Sequence, residues 1–189
     1  MLKCNLTIDG QTQTSADQLL AENGCGGKKY AVLVTGAAHA NKCWPVNNFA
    51  ALADKLHNQF DLSVIAVGTG MDKPGVEKLK DLAKTDIIDL ACKTNLKVLT
   101  ALMSKASVVI TNDTGPGHIA LATGAPVVMI FGPTNPSRVG PYKKPQSIAA
   151  VEAFTWGSEI ASTDPKYAIE KVTVESVFEK AAGLVSNQQ

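Results

Sequence analysis

Apolar positions along the chain fall into two alternating patterns, short continuous runs and stripes at helical spacing. The first run, residues 30–34 (Tyr-Ala-Val-Leu-Val), has the character of a buried strand and is broken by Thr35-Gly36-Ala37-Ala38-His39. Beyond Pro45, the recurrence of Phe49, Leu52, Ala53 and Leu56 predicts an amphipathic helix over residues 47–60. The unit then repeats. Residues 63–67 read as a strand ending in Gly68-Thr69-Gly70, and Val76, Leu79 and Ala83 mark a helix opened by Pro74. Residues 87–90 read as a third strand, and Leu96, Leu99, Leu102 and Met103 mark a helix capped by Thr94 or Asn95.

A strand over residues 107–111 leads into Thr111-Asn112-Asp113-Thr114-Gly115-Pro116-Gly117-His118 and a short helix, followed by a buried strand over 126–131 closed by Gly132-Pro133-Thr134. Residues 135–169, with Pro136, Gly140, Pro141, Pro145, Trp156 and Pro165, read as loops around a short strand near 148–151. Val174, Val177, Phe178, Ala181 and Leu184 predict a final amphipathic helix. Residues 1–29 read as a lead-in, with Thr14 or Ser15 capping a helix that runs to Leu20 and stops at the glycine cluster, so the domain proper is expected over 30–189. Such alternation predicts an α/β fold: a doubly wound, mostly parallel, Rossmann-like sheet with helices on both faces.

In that architecture ligands collect beyond the carboxyl ends of the strands. The residues expected there are Thr35-Gly36, Gly68-Thr69-Gly70, Asn112-Asp113-Thr114-Gly115 and Gly132-Pro133-Thr134, all small, polar or glycine. One such turn is ordinary capping chemistry, but four at one sheet edge form a polar cleft of phosphate size. Asp113 or Thr114 can cap the helix that follows, Pro116 suits its first turn, and the amides of Thr114 and Gly115 suit an anion. Lys42, in the loop after the first strand, sets a cation over the same cleft. Were the ligand a nucleotide diphosphate, that ammonium would stabilise charge growing on the leaving phosphate, a catalytic role that needs no proton transfer. Asp113 serves either as a cap or as an acceptor for sugar hydroxyls. His118, one turn into the helix, is either packing or part of the site; His39 lies near the cleft, and His57 falls on the polar side of a helix.

Composition narrows the field. Net charge is +1, which gives no global attraction to nucleic acid. The four cysteines (Cys4, Cys25, Cys43 and Cys92) lack metal-site or disulfide-framework spacing, and no apolar run approaches a membrane span, so a cytoplasmic setting is expected. Peripheral contact with a membrane-bound substrate is compatible with such a chain. The chain has no G-x-G-x-x-G after a strand, no Walker lysine, no G-x-S-x-G elbow and no H-E-x-x-H, which removes support for dehydrogenase, P-loop kinase, α/β-hydrolase and zinc protease readings. Acidic pairs at metal-binding spacing are also missing from the expected strand ends, so a metal-independent site without a cofactor is expected.

Three segments in order, Lys42-Cys43-Trp44-Pro45, residues 111–120 and residues 125–136, resemble glycosyltransferase family 9, the lipopolysaccharide heptosyltransferases. The resemblance covers roughly residues 30–142 and points to the C-terminal, donor-binding half of a two-domain enzyme of GT-B type. It implies an inverting transfer from a nucleotide-sugar donor such as ADP-heptose to the lipopolysaccharide inner core, at the cytoplasmic side of the inner membrane. It also implies donor contacts by Gly36, Ala37, Lys42, Asp113, Thr114, Gly115 and His118, with Lys42 on the diphosphate. In the family pattern an N-terminal domain receives the acceptor and supplies a carboxylate base; here a missing domain or a second chain would have to do so. The acidic contact to the donor ribose has Asp72 as its candidate. A stand-alone nucleotide-sugar binding or regulatory module is the alternative. A sugar-nucleotide epimerase ranks last, because this chain has His118-Ile119-Ala120 where paired glutamates are usual.

Overall fold

A computed structural model describes residues 6–141, 144–152 and 157–187. Within them a six-stranded sheet has the order β3-β2-β1-β4-β5-β6, with every neighbouring pair parallel. The strands are β1 Tyr30–Val34, β2 Ser63–Val67, β3 Ile87–Asp89, β4 Val108–Asn112, β5 Val127–Phe131 and β6 Ile148–Ala150. The helices are α1 Gly10–Glu22, α2 Val46–Phe60, α3 Lys73–Leu82, α4 Leu96–Ser104, α5 Gly115–Thr123, the one-turn α6 Pro136–Val139, and α7 Val174–Ser186. The expected doubly wound sheet is therefore present.

Strand side chains alternate between two cores, as a two-residue period requires. Ala31, Leu33, Val64 and Ala66 join Phe49, Leu52 and Leu56 of α2, Val76 and Leu79 of α3, and Val177 and Ala181 of α7. Val32, Val34, Ile65 and Val67 join Leu20 of α1, Leu102 and Met103 of α4, and Ala120 of α5. Both faces are covered, which explains why these strands read as continuous apolar runs.

Several boundaries differ from expectation for local reasons. Asp9, not Thr14 or Ser15, caps α1: its carboxylate accepts from the Thr12 amide at 2.7 Å, so the helix starts earlier. Thr14 and Ser15 lie inside that helix and turn their hydroxyls back to the carbonyls of Gly10 and Gln11. Buried Ala16 and Leu20 make α1 a packed part of the helical layer. Asn95 caps α4, accepting from Val98 N at 3.0 Å, whereas Leu96, expected on the apolar stripe, is 62% exposed. Cys4 and Trp156 lie outside the described residues.

The chain runs outward from β1 to β3 and then crosses back to place β4 on the other side of β1. That reversal opens a crevice at the carboxyl ends of β1 and β4, the position where such sheets take ligands.

Candidate functional site

Asn112, the last residue of β4, holds the two sides of this crevice in register. Fully buried, it donates from Nδ2 to the carbonyls of Thr35 (2.7 Å) and Gly36 (3.3 Å) and accepts at Oδ1 from the Trp44 amide (3.0 Å). The loop after β1 and the loop carrying Lys42 are thereby tied to one amide side chain. Trp44 is anchored further by its indole Nε1, which donates to Val172 O at 2.8 Å, and by an edge-on contact with Phe49. A lysine beside a tryptophan is ordinarily a surface residue; here the buried ring is the peg that aims Lys42 back over the sheet.

Lys42 Nζ reaches Asp113 Oδ2 at 2.8 Å. His118 Nε2 approaches the other oxygen, Asp113 Oδ1, at 3.6 Å, an ion-pair distance too long for a good hydrogen bond. Burial pushes the Asp113 pKa up, but His118 and Lys42 together outweigh it, and the carboxyl titrates at about 2. Asp113 is therefore an anion at neutral pH, and it does not cap α5. Thr114 occupies the cap position with extended backbone and makes no capping bond through its side chain; its hydroxyl pairs instead with Thr111 Oγ1 at 3.1 Å. The first turn of α5, with Pro116 at its start, consequently presents its amides to the crevice without a side-chain cap.

Gly117 lets this turn sit close on β4, since a Cβ there would stand 2.8 Å from Thr111 Cγ2. At Gly36 a Cβ would overlap the Asp72 carboxylate. One Asp72 oxygen, Oδ2, is engaged by the Thr69 amide (2.7 Å) and hydroxyl (2.9 Å), which fixes the side chain in the crevice beside the β1 loop.

A cavity of about 760 Å³ opens over these loops, and its lining includes Gly36, Ala37, Lys42, Asp72, Asp113, Thr114, Gly115 and His118. All seven residues to which the family resemblance assigns donor contacts are in that lining, whereas Thr35, Gly70, Asn112, Gly132 and Pro133 of the strand-end loops are not among its residues. His39 lines a neighbouring, more open cleft with Asn41, Glu159 and Asp164, and His57 lies in a separate polar cleft with Asp54 and Lys84. Exposed Met71, Leu96 and Ile160 add an apolar rim to the main cavity. Asn112, named above only as a strand-end residue, and Asn135, named only within residues 125–136, are organisers whose role the sequence does not show. Asn135 is fully buried and donates to the carbonyls of Gly157 (3.2 Å) and Glu159 (2.7 Å), strapping residues 157–164 alongside the cavity. An amide closing the apolar strand 108–112 is the signal available for Asn112; Asn135 stands four residues beyond the end of β5 and carries no such signal. Among the described residues no group of three or more His, Cys, Asp or Glu side chains is placed to hold a metal ion, and no helix is long and apolar enough to cross a membrane.

The family model of glycosyltransferase family 9 (heptosyltransferase) matches residues 2–166. A lipopolysaccharide core heptosyltransferase, OpsX of Haemophilus influenzae, is 32% identical over 151 residues, which cover 79% of this chain and 42% of that protein. Among solved structures, a family 9 glycosyl transferase from Veillonella parvula superposes with a TM-score of 0.81 at 24% identity, over 97% of this chain and 54% of the other. The E. coli ADP-heptose lipopolysaccharide heptosyltransferase II superposes with a TM-score of 0.78 at 19% identity, again over 97% and 54%. The chain thus spans about half the length of the relatives it matches.

Proposed function

Because the chain belongs to glycosyltransferase family 9, we propose that the cavity between β1 and β4 binds the donor of a heptosyl transfer, an ADP-heptose-like nucleotide sugar, for addition to the lipopolysaccharide inner core. The observation that carries this reading is the meeting of Lys42, Asp113 and the uncapped first turn of α5 at the topological switch point. An ammonium has three donors, so Lys42 can keep its bond to Asp113 and still offer two to a diphosphate. The α5 amides add a fixed positive end to the same place, with Gly36 and Ala37 giving backbone close access from the other side.

In this reading Lys42 stabilises the charge that grows on the diphosphate as the glycosidic bond breaks, and Asp113 with His118 borders the sugar. The cation on the leaving group is the protein's own, so the proposed transfer needs no divalent metal; attack from the far side of the sugar would invert the anomeric centre. Met71 and Leu96 offer the base an apolar surface at the cavity rim. The acceptor and the base that takes its proton are assigned to the half of the relatives' length that this chain does not match.

Isothermal titration of the chain with ADP and with ADP-heptose tests the reading. Wild type is expected to bind both, and Lys42→Ala to bind each about 10- to 100-fold more weakly, the range for losing a charge-assisted hydrogen bond. Equal binding by wild type and variant, or none by either, would remove the proposed role.

A further inference from the structure

Thr134 Oγ1 is the buried side-chain polar atom that, among the described residues, has no hydrogen-bond partner. Buried hydroxyls are ordinarily paired, and an unpaired one on a residue that lines a cavity calls for a partner from outside the protein, whether water, an ion or a ligand atom. The surrounding backbone is fixed: Thr134 pairs with Ala161 in an antiparallel bridge, Ser162 N donates to Pro133 O at 2.9 Å and Asn135 N to Ile160 O at 2.8 Å. The main chain that carries the hydroxyl is thus fixed in place.

Its position is also distinctive. Among the described residues, Thr134 and Lys42 are the two that line both the main cavity and the adjacent open cleft containing His39, Asn41 and Glu159. Thr134 lies close enough to the Asp113 carboxylate to favour its charged form, although the two make no hydrogen bond of ordinary geometry. A phosphate oxygen brought to this point would face that carboxylate and be repelled. A sugar hydroxyl fits, because it can donate to Asp113 and accept from Thr134 at once.

We propose that Thr134 is a specificity-determining residue whose hydroxyl, together with the Asp113 carboxylate, reads one hydroxyl of the transferred sugar at the junction of the two cavities. The inference rests on the donor-site reading and adds to it the location of the sugar end, where the open cleft gives an acceptor a way in. Thr134→Val preserves shape and removes the hydroxyl, Thr134→Ala is a second such variant if valine disturbs folding, and Thr134→Ser retains the group.

Titration of the full chain with ADP and ADP-heptose, beside melting curves of each variant, separates the possibilities. Thr134→Val or Thr134→Ala is expected to bind ADP as wild type does and ADP-heptose about 3- to 10-fold more weakly than wild type, the value of one net hydrogen bond, while Thr134→Ser keeps the wild-type preference. Equal losses for the two ligands, or no loss for either, overturn the assignment. Wild type that binds ADP and ADP-heptose equally well overturns it while leaving the donor site standing; wild type that binds neither overturns both.

Discussion

Asp113→Asn replaces the carboxylate between Lys42 and His118 with a neutral amide of the same shape. Burial opposes the Asp113 charge, His118 and Lys42 more than compensate, and the carboxyl titrates at about 2 instead of 3.8. The Asp113 side chain is only 9% exposed, but Lys42 is 26% and His118 46% exposed, so solvent screens part of this. A depressed carboxyl stabilises the fold above its unfolded pKa and loses that contribution as pH falls through the folded one. A drop of this size contributes about 2 kcal/mol at neutral pH. Urea unfolding of wild type and Asp113→Asn between pH 7 and pH 2 measures it. The variant is expected to be about 2 kcal/mol less stable from pH 7 down to about pH 4, with the gap closing between pH 4 and pH 2 as the wild-type carboxyl protonates. A gap that is absent at pH 7, or that stays constant down to pH 2, refutes the electrostatic account of this cluster.

Asn112→Ala removes three hydrogen bonds, two of them buried, and leaves the Trp44 amide and Thr35 carbonyl without this partner; a loss of about 3 kcal/mol in chemical denaturation is expected, with weakened ADP binding. Gly117→Ala forces a Cβ towards Thr111 and Met129, and calorimetric melting is expected to show a cost of about 1 to 3 kcal/mol. Trp44→Phe keeps the ring against Phe49 but drops the bond to Val172 O; about 1 kcal/mol of stability is expected to go, with Lys42 less well aimed and ADP binding reduced.

The sheet was legible because parallel strands buried on both faces must be apolar throughout: residues 30–34 and 63–67 stand as strands over those same spans. The helix at 47–60 was equally plain, since Phe49, Leu52, Ala53 and Leu56 are all buried on one face. Caps were harder. Thr14, Ser15 and Asp9 are all competent N-cap chemistry, and only packing of Ala16 and Leu20 against the sheet's helical layer decides for Asp9. Leu96 fitted a helical stripe yet points away from the core, because periodicity locates a face without saying where it ends. At the site, the loops at strand ends could be listed from the sequence, and Gly36, Lys42, Asp113 and His118 do converge. What the sequence could not show is the side-chain wiring across long separations: Asn112 reaching Thr35 and Trp44, Asp113 taken by Lys42 rather than capping α5, and Asn135 drawing in residues 157–164.

The central claim is that a diphosphate sits between Lys42 and the first turn of α5. A crystal structure of the chain soaked with ADP tests it most directly. The account predicts phosphate oxygens within hydrogen-bond distance of Lys42 Nζ and the Gly115 amide, with Asp113 still bound to Lys42; ADP lodged in the polar cleft near His57, or in the main cavity with its phosphates away from Lys42, would contradict it.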